Sequence, residues 1–214
     1  MTMQLYTYFR SSAAYRVRIA LNLKGLEAEH IPVHLVNNGG EQHSETFRRV
    51  NPGELVPALI EDDFTLTQSL SMIEYLEEKF PETPLLPKNL QQRALIRAFS
   101  LNIACDIHPL NNLRVLQYLS KTLNASDEQK TEWYRHWVIT GLKALEAQLT
   151  HSNGQFCFGD QPSLADCCLI PQVYNAKRFN IDLSDFPKIE SIYTHCNSLD
   201  AFQKAAPEAQ LDAA

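Results

Sequence analysis

"MQLYTYFRSSAAYRVRIALNLKG", Met3 to Gly25, changes its period in mid-course. Its first seven residues, MQLYTYF, are rich in aromatic and branched side chains and read as a strand. From Ser12 to Lys24 the period becomes helical: Ala13, Val17, Ala20 and Leu21 share one stripe, and Gly25 stands as the C-terminal stop. Between strand and helix lie Arg10, Ser11 and Ser12. A helix start needs only one capping hydroxyl. Two adjacent serines beside an arginine are either a surplus or a site.

Outward from this stretch the first eighty residues keep alternating. "HIPVHLV" returns to a strand, and "PALIEDDFTL" reads as a hairpin of two short apolar runs around an Asp-Asp turn. Ser69 to Phe80 is helical, with Met72, Ile73, Leu76 and Phe80 facing inward. The order is strand, helix, strand, short helix, hairpin, helix. "PETPLLPK", residues 81–88, holds three prolines in eight positions and reads as a linker. Beyond it the periodic segments are helical, over about 89–119, 127–149, 163–176 and 187–203. The expected architecture is α+β: a small domain over residues 1–80, the linker, and an all-helical domain over 89–214.

Composition narrows the function. The 214 residues carry a formal charge of −6, with 44% hydrophobic and 21% charged residues, an ordinary globular balance. A net negative chain without Lys/Arg clusters does not read as a nucleic-acid binder. No run approaches the length of a membrane span, and "MTMQLYTYFR" lacks the layout of a signal peptide. Five cysteines without metal-ligand spacing read as reduced thiols, several of them core, in a cytoplasmic protein.

Three short stretches carry more than their share. "ELVPALIED" puts Pro57 just before a strand, where it belongs at an edge or a strand start. A cis bond there would leave the Val56 backbone free to pair with an extended ligand, and an ordinary strand-edge proline is the plainer alternative. "LTQSLSMIEYL" places Gln68 and Ser69 at a helix N-terminus, where unpaired N–H groups and the positive dipole end suit a carboxylate. There Ser69 could equally be only a cap. "PSLADCCLIP" sets Ser163 and Asp166 three apart as an N-capping box, read as structural.

Together and in this order these stretches resemble the glutathione transferase superfamily. "RSSAAYRVRIALNLKGL" is similar to the zeta-class signature, and "NPGELVPALI", "QSLSMIEYLEE", "IHPLNNLRVL", "QFCFGDQPSLADCCLIPQVYNAKRF" and "DAFQKAAPE" follow as in that class. One position departs from it: the signature's cysteine is Ala13 here. The resemblance implies a thioredoxin-like first domain, an all-helical second one and a homodimer. It further implies glutathione as cofactor and cis–trans isomerisation of maleylacetoacetate to fumarylacetoacetate in tyrosine and phenylalanine breakdown. Maleylpyruvate and small halogenated acids are the alternative substrates, and a glutathione binder without turnover is the rival from outside enzymes.

The residue roles implied are these. Ser11, with Ser12 as helper, stabilises the glutathione thiolate by donating a hydroxyl proton. Arg10 and Arg178 bind the carboxylates of a dicarboxylic keto acid, for which a bidentate guanidinium is suited. Gln42, Val56, Pro57, Gln68 and Ser69 hold the tripeptide, with Gln42 at its glycine end. His108 hydrogen-bonds glutathione or substrate, and Asn112 and Arg114 on the same segment contribute to binding. The loop "NNGGEQ" has the glycines of a segment able to close over a site.

Overall fold

The computed structural model describes residues 3–150 and 152–213. Its contacts divide the chain into two units, residues 1–86 with 197–214, and residues 87–196. The first is thioredoxin-like and the second all-helical.

Unit 1 is built on a mixed sheet of β1 (Met3–Thr7), β2 (Glu29–Pro32), β3 (Ala58–Glu61) and β4 (Phe64–Thr67), in the order β2-β1-β3-β4. Strand β1 runs parallel to β2, with Leu5 opposite His30, and antiparallel to β3, with Leu5 opposite Leu59. The hairpin turns at Asp62, whose φ of 52° is the left-handed conformation a short polar residue tolerates. Around the sheet lie α1 (Ser12–Lys24), α2 (Glu45–Val50) and α3 (Ser69–Lys79). Helix α1 ends as expected at Gly25, φ 67°, whose N–H reaches Asn22 O while Leu26 N–H reaches Leu21 O.

The single apolar stripe expected for α1 is an underestimate. Tyr15, Arg16 and Arg18 are buried along with Val17, Ile19, Ala20 and Leu21. The helix packs on α3 and also on α9 (Asp200–Ala205), so it has apolar company on two sides.

The expected boundaries differ from the structure at both ends. At the linker, the buried pair Lys24–Glu77 ties Thr83 to Leu86 into unit 1. Lys24 Nζ donates to Glu77 (2.7 Å) and to the carbonyls of Phe80 and Thr83, and Glu77 accepts the N–H groups of Leu85 and Leu86. At the other end the chain from Asn197 on belongs with unit 1, where the sequence reading continues the helical domain to 214. The segment is held by buried Phe202 and by the Arg18 guanidinium, which donates to Ala205 O at 3.0 Å. Hence the helix expected over 187–203 is two, α8 (Pro187–Cys196) and α9.

Unit 2 holds α4 (Leu90–Leu101), α5 (Leu113–Lys121), α6 (Asp127–Leu149), α7 (Leu164–Arg178) and α8. The helix expected over 89–119 is interrupted. After α4 the chain widens into a π-helical turn, Asn102–Ile107, then a 3₁₀ turn, Pro109–Asn111, before Asn112 caps α5. Pro109 cannot continue an α-helical ladder, and the His108 N–H reaches back five residues to Ile103 O. The wide turn lies against Gly141 of α6, where any Cβ would come within 2.3 Å of the Ile107 side chain. No helix among the described residues is long and apolar enough to cross a membrane. All five cysteines are free; only Cys105 is exposed, and burial pushes the thiols of Cys157, Cys167 and Cys196 up.

Candidate active site

In unit 1 the strand-to-helix junction resolves the pair of serines. Ser11 is the N-cap of α1 (φ −69°, ψ 114°), and its Oγ accepts the Ala14 N–H at 3.2 Å. Ser12 is the first helical residue and is buried. Capping uses one lone pair of the Ser11 hydroxyl and leaves its proton to give. Among the described residues nothing accepts that proton, and α1 has no acid in its first turn to oppose an incoming anion. Arg10 is exposed, its guanidinium 4.8 Å from the Phe9 ring centroid, and it makes no ion pair among the described residues.

Elsewhere in unit 1, the start of α3 carries no cap from a side chain. Gln68 occupies the N-cap position with φ 71°, makes no capping bond, and no acid lies in the first turn. The helix's first N–H groups are therefore unclaimed by side chains. Ser69 is not the cap. It is the first helical residue, buried, and its Oγ accepts from Arg16 Nη1 at 3.2 Å. Gln42, in the 3₁₀ turn Glu41–His43, is also buried; its Nε2 lies 3.0 Å from His43 Nε2, while among the described residues its Oε1 has no partner. Gly40 (φ 102°) backs onto this amide so closely that a Cβ would lie 2.5 Å from Gln42 Nε2. His43 and Arg48 in turn bond Glu54, holding its carboxyl below the usual range. The Val56–Pro57 peptide is cis, and the β3 ladder begins at Ala58, so Pro57 stands at a strand start.

Unit 2 carries the remaining residues. His108 ends the π-helical turn, with Nε2 3.5 Å from Asn112 Nδ2, a distance at the limit of a hydrogen bond. Asn112 spends its Oδ1 on capping α5 through the Arg114 N–H, 3.2 Å, and Arg114 itself is exposed. Arg178 is the exposed last residue of α7. Its guanidinium lies 4.6 Å from the Phe179 ring, which stacks on buried Tyr134 at 3.9 Å. Neighbouring Lys177 is paired with Glu190, 2.9 Å, whereas Arg178 makes no ion pair among the described residues. A guanidinium laid on an aromatic face keeps its in-plane N–H fork for an anion.

Ser163 and Asp166 form the capping box expected for α7, and more than that. Asp166 is fully buried and accepts from Ser163 N–H, Ser163 Oγ–H and Cys157 N–H, each at 2.8 Å. Burial raises its pKa against the pull of these bonds.

The sequence reading overlooks Arg16 and Arg18. In "YRVRIAL" the alternate positions are apolar, and that pattern hides two arginines that turn inward. Arg18 is 1% exposed, with its pKa pushed by desolvation down to about 10, still cationic at neutral pH.

Two family models match the chain: the glutathione S-transferase N-terminal domain over residues 5–84 and the C-terminal domain over 138–197. A probable maleylacetoacetate isomerase of Vibrio cholerae is 52% identical over all of this chain and 99% of its own. A holo structure of a maleylpyruvate isomerase, described as a bacterial zeta-class glutathione S-transferase, superposes with TM-score 0.95 at 44% identity, covering 99% of this chain and 100% of that one. A maleylacetoacetate isomerase structure from Methylobacterium extorquens AM1, with malonate and GSH bound, superposes at 0.94 with 41% identity and 99% coverage of both chains. The chain belongs to the glutathione S-transferase family, in the zeta class of maleylacetoacetate isomerases.

Proposed function

We propose that this protein is a glutathione-dependent isomerase converting maleylacetoacetate to fumarylacetoacetate. The observation that carries the reading is the Ser11 hydroxyl, which caps α1 through a lone pair and keeps its proton for a thiolate. The residues of unit 1 fit glutathione: Gln42 has a buried Oε1 wanting a donor, and the uncapped start of α3 wants an anion. Bound glutathione supplies a thiolate that adds reversibly to the activated double bond, making it a rotatable single bond, and leaves unchanged.

The chain's own part is to make the thiolate and hold the charges. A free thiol near pKa 8.5 is mostly protonated at pH 7, and a donated hydroxyl proton with the positive end of α1 favours the anion. Gln68, Ser69, Val56, Pro57 and Gln42 hold the tripeptide in this reading, and Ser12 backs Ser11. Arg10 and Arg178, each laid on a phenylalanine ring and free of acidic partners among the described residues, take substrate carboxylates. His108, Asn112 and Arg114 supply further polar contacts, His108 as a hydrogen-bonding and not an essential proton-transferring group.

The setting proposed is cytoplasmic breakdown of tyrosine and phenylalanine, by a homodimer. Sedimentation of the purified protein checks this, with a dimer expected. A maleylpyruvate isomerase is among the structures this chain resembles, which makes maleylpyruvate the second substrate to try. Turnover measured on both maleyl substrates with and without glutathione tests the proposal. Glutathione-dependent turnover of maleylacetoacetate is expected; inertness towards both sinks it.

A further inference from the structure

The tail beyond α9 runs through the 3₁₀ turns Pro207–Ala209 and Leu211–Ala213, both within unit 1. It ends against the junction that carries Arg10 and Ser11. Asp212 Oδ2 accepts the Phe9 N–H at 2.9 Å, across a sequence separation of 203 residues. Ala213 packs on the cluster of Tyr8, Phe9, Val33, Phe47 and Val56. From the other side buried Arg18 grips the same turn. Its Nη1 donates to Thr7 Oγ1 (2.9 Å) and weakly to Tyr8 O (3.4 Å), and its Nη2 donates to Phe9 O at 3.0 Å.

The backbone of Phe9 is thus held on both sides, its N–H by the Asp212 carboxylate and its carbonyl by the Arg18 guanidinium. Each of these bonds has a charged partner, which makes it stronger than a neutral one. The turn itself closes with Ser11 N–H on Tyr8 O, 2.9 Å, and that carbonyl fixes where Ser11 begins. Among the described residues no carboxylate is in direct contact with Arg18, and Asp212 is the one whose field it feels.

We infer that Asp212 is a positioning residue of the active site, which with Arg18 clamps the backbone of Phe9 and so fixes the placement of Ser11 and Arg10. The inference rests on the reading of Ser11 as thiolate donor. Its weight comes from geometry: a hydroxyl displaced by about 1 Å loses much of its hold on the sulfur, an error that can cost up to a hundredfold in rate.

The test uses the full-length protein, with inorganic buffer in one arm and glutathione in the other. In the free protein, the Phe9 amide of wild type exchanges slowly with solvent deuterium; Asp212→Ala exposes it, while Asp212→Asn, which keeps an acceptor oxygen, preserves most of the protection. With glutathione, Asp212→Ala raises the pKa of the bound thiol part of the way towards that of Ser11→Ala. It also lowers kcat about tenfold, with KM for glutathione little changed. Leu211→Ala, on the same turn but 96% exposed, changes none of these. In a Ser11→Ala background, Asp212→Ala adds little further shift, as expected of two residues acting in series.

An unchanged thiol pKa in Asp212→Ala, with Ser11→Ala showing its shift, overturns the inference. An unchanged pKa in Ser11→Ala overturns the underlying reading instead, and the Phe9 exchange result still reports whether the clamp exists. Should Asp212→Ala fail to fold, Asp212→Ser, whose hydroxyl is one atom too short to reach the Phe9 N–H, decides: a thiol pKa raised towards that of Ser11→Ala supports the inference, and an unchanged one refutes it.

Discussion

At the start of α1, Ser11 accepts the Ala14 N–H at 3.2 Å and keeps its own proton, whereas at the start of α7, Ser163 gives its proton to Asp166 at 2.8 Å. Both serines head a helix that is buried along most of its length. What separates them is the third helical residue. At α7 it is a buried aspartate that gathers the Ser163 N–H, the Ser163 hydroxyl and the Cys157 N–H, so the local hydrogen bonding closes on itself. At α1 it is Ala14, which can take up nothing. A saturated helix start supports a fold; one with a donor to spare can support chemistry.

Substituting each serine's system separates the two roles. Ser11→Ala is expected to lower isomerase turnover by roughly 10²–10³-fold, the usual cost of a lost donor to a developing anion. Its thermal stability should fall only by about 1 kcal/mol for the cap. Asp166→Ala should do the reverse. It strands buried N–H groups of Cys157 and Ser163, and a destabilisation of roughly 2–4 kcal/mol in denaturant titration is expected, with KM for glutathione little changed. Equal losses of activity and stability in both variants would erase the distinction.

Arg178 extends the comparison to unit 2, where Lys177 is paired with Glu190 and Arg178 makes no ion pair among the described residues. Arg178→Met is expected to reduce the ratio of isomerase kcat/KM to kcat/KM for conjugating a neutral electrophile by roughly 10- to 100-fold, the worth of hydrogen bonds to a charged group. Arg178→Lys, which keeps charge but not the fork, should fall between. A flat ratio would leave Arg178 out of substrate binding.

The smallest effect expected is one of acid stability. Lys79 and then Tyr75 hydrogen-bond Glu61 and hold its carboxyl below the usual value. A depressed folded-state pKa means the stabilisation is complete above the ordinary carboxyl pKa and is lost as pH falls through the lower folded value. Glu61→Gln should therefore flatten the decline in melting temperature between roughly pH 6 and pH 3, and leave neutral turnover unchanged.

Much of unit 1 is legible because its signals are local. The strand–helix junction at residues 3–25, the Asp62–Asp63 turn and the Gly25 stop each follow from a few adjacent residues. The Ser163–Asp166 box is legible for the same reason. What escapes such reading depends on distant partners. Arg16 and Arg18 look like a solvated face until α3 and α9 cover it, and Asp212 finds Phe9 only after the chain has crossed a second unit. The widened turn at 102–107 also hides, since Asn102 to Ile107 keeps a helical composition and only Pro109 downstream marks the break. The roles of Gln42 and Gln68 show a third limit: an amide's identity says nothing of whether its oxygen will be left without a donor, as that of Gln42 is among the described residues.

The central claim is that the Ser11 proton stabilises a thiolate, and ultraviolet absorbance of the thiolate in the glutathione complex, followed against pH, tests it most directly. Wild type should titrate well below the value of about 8.5 for a free thiol, and Ser11→Ala should return most of the way to it. The same thiol pKa in both proteins would contradict the account.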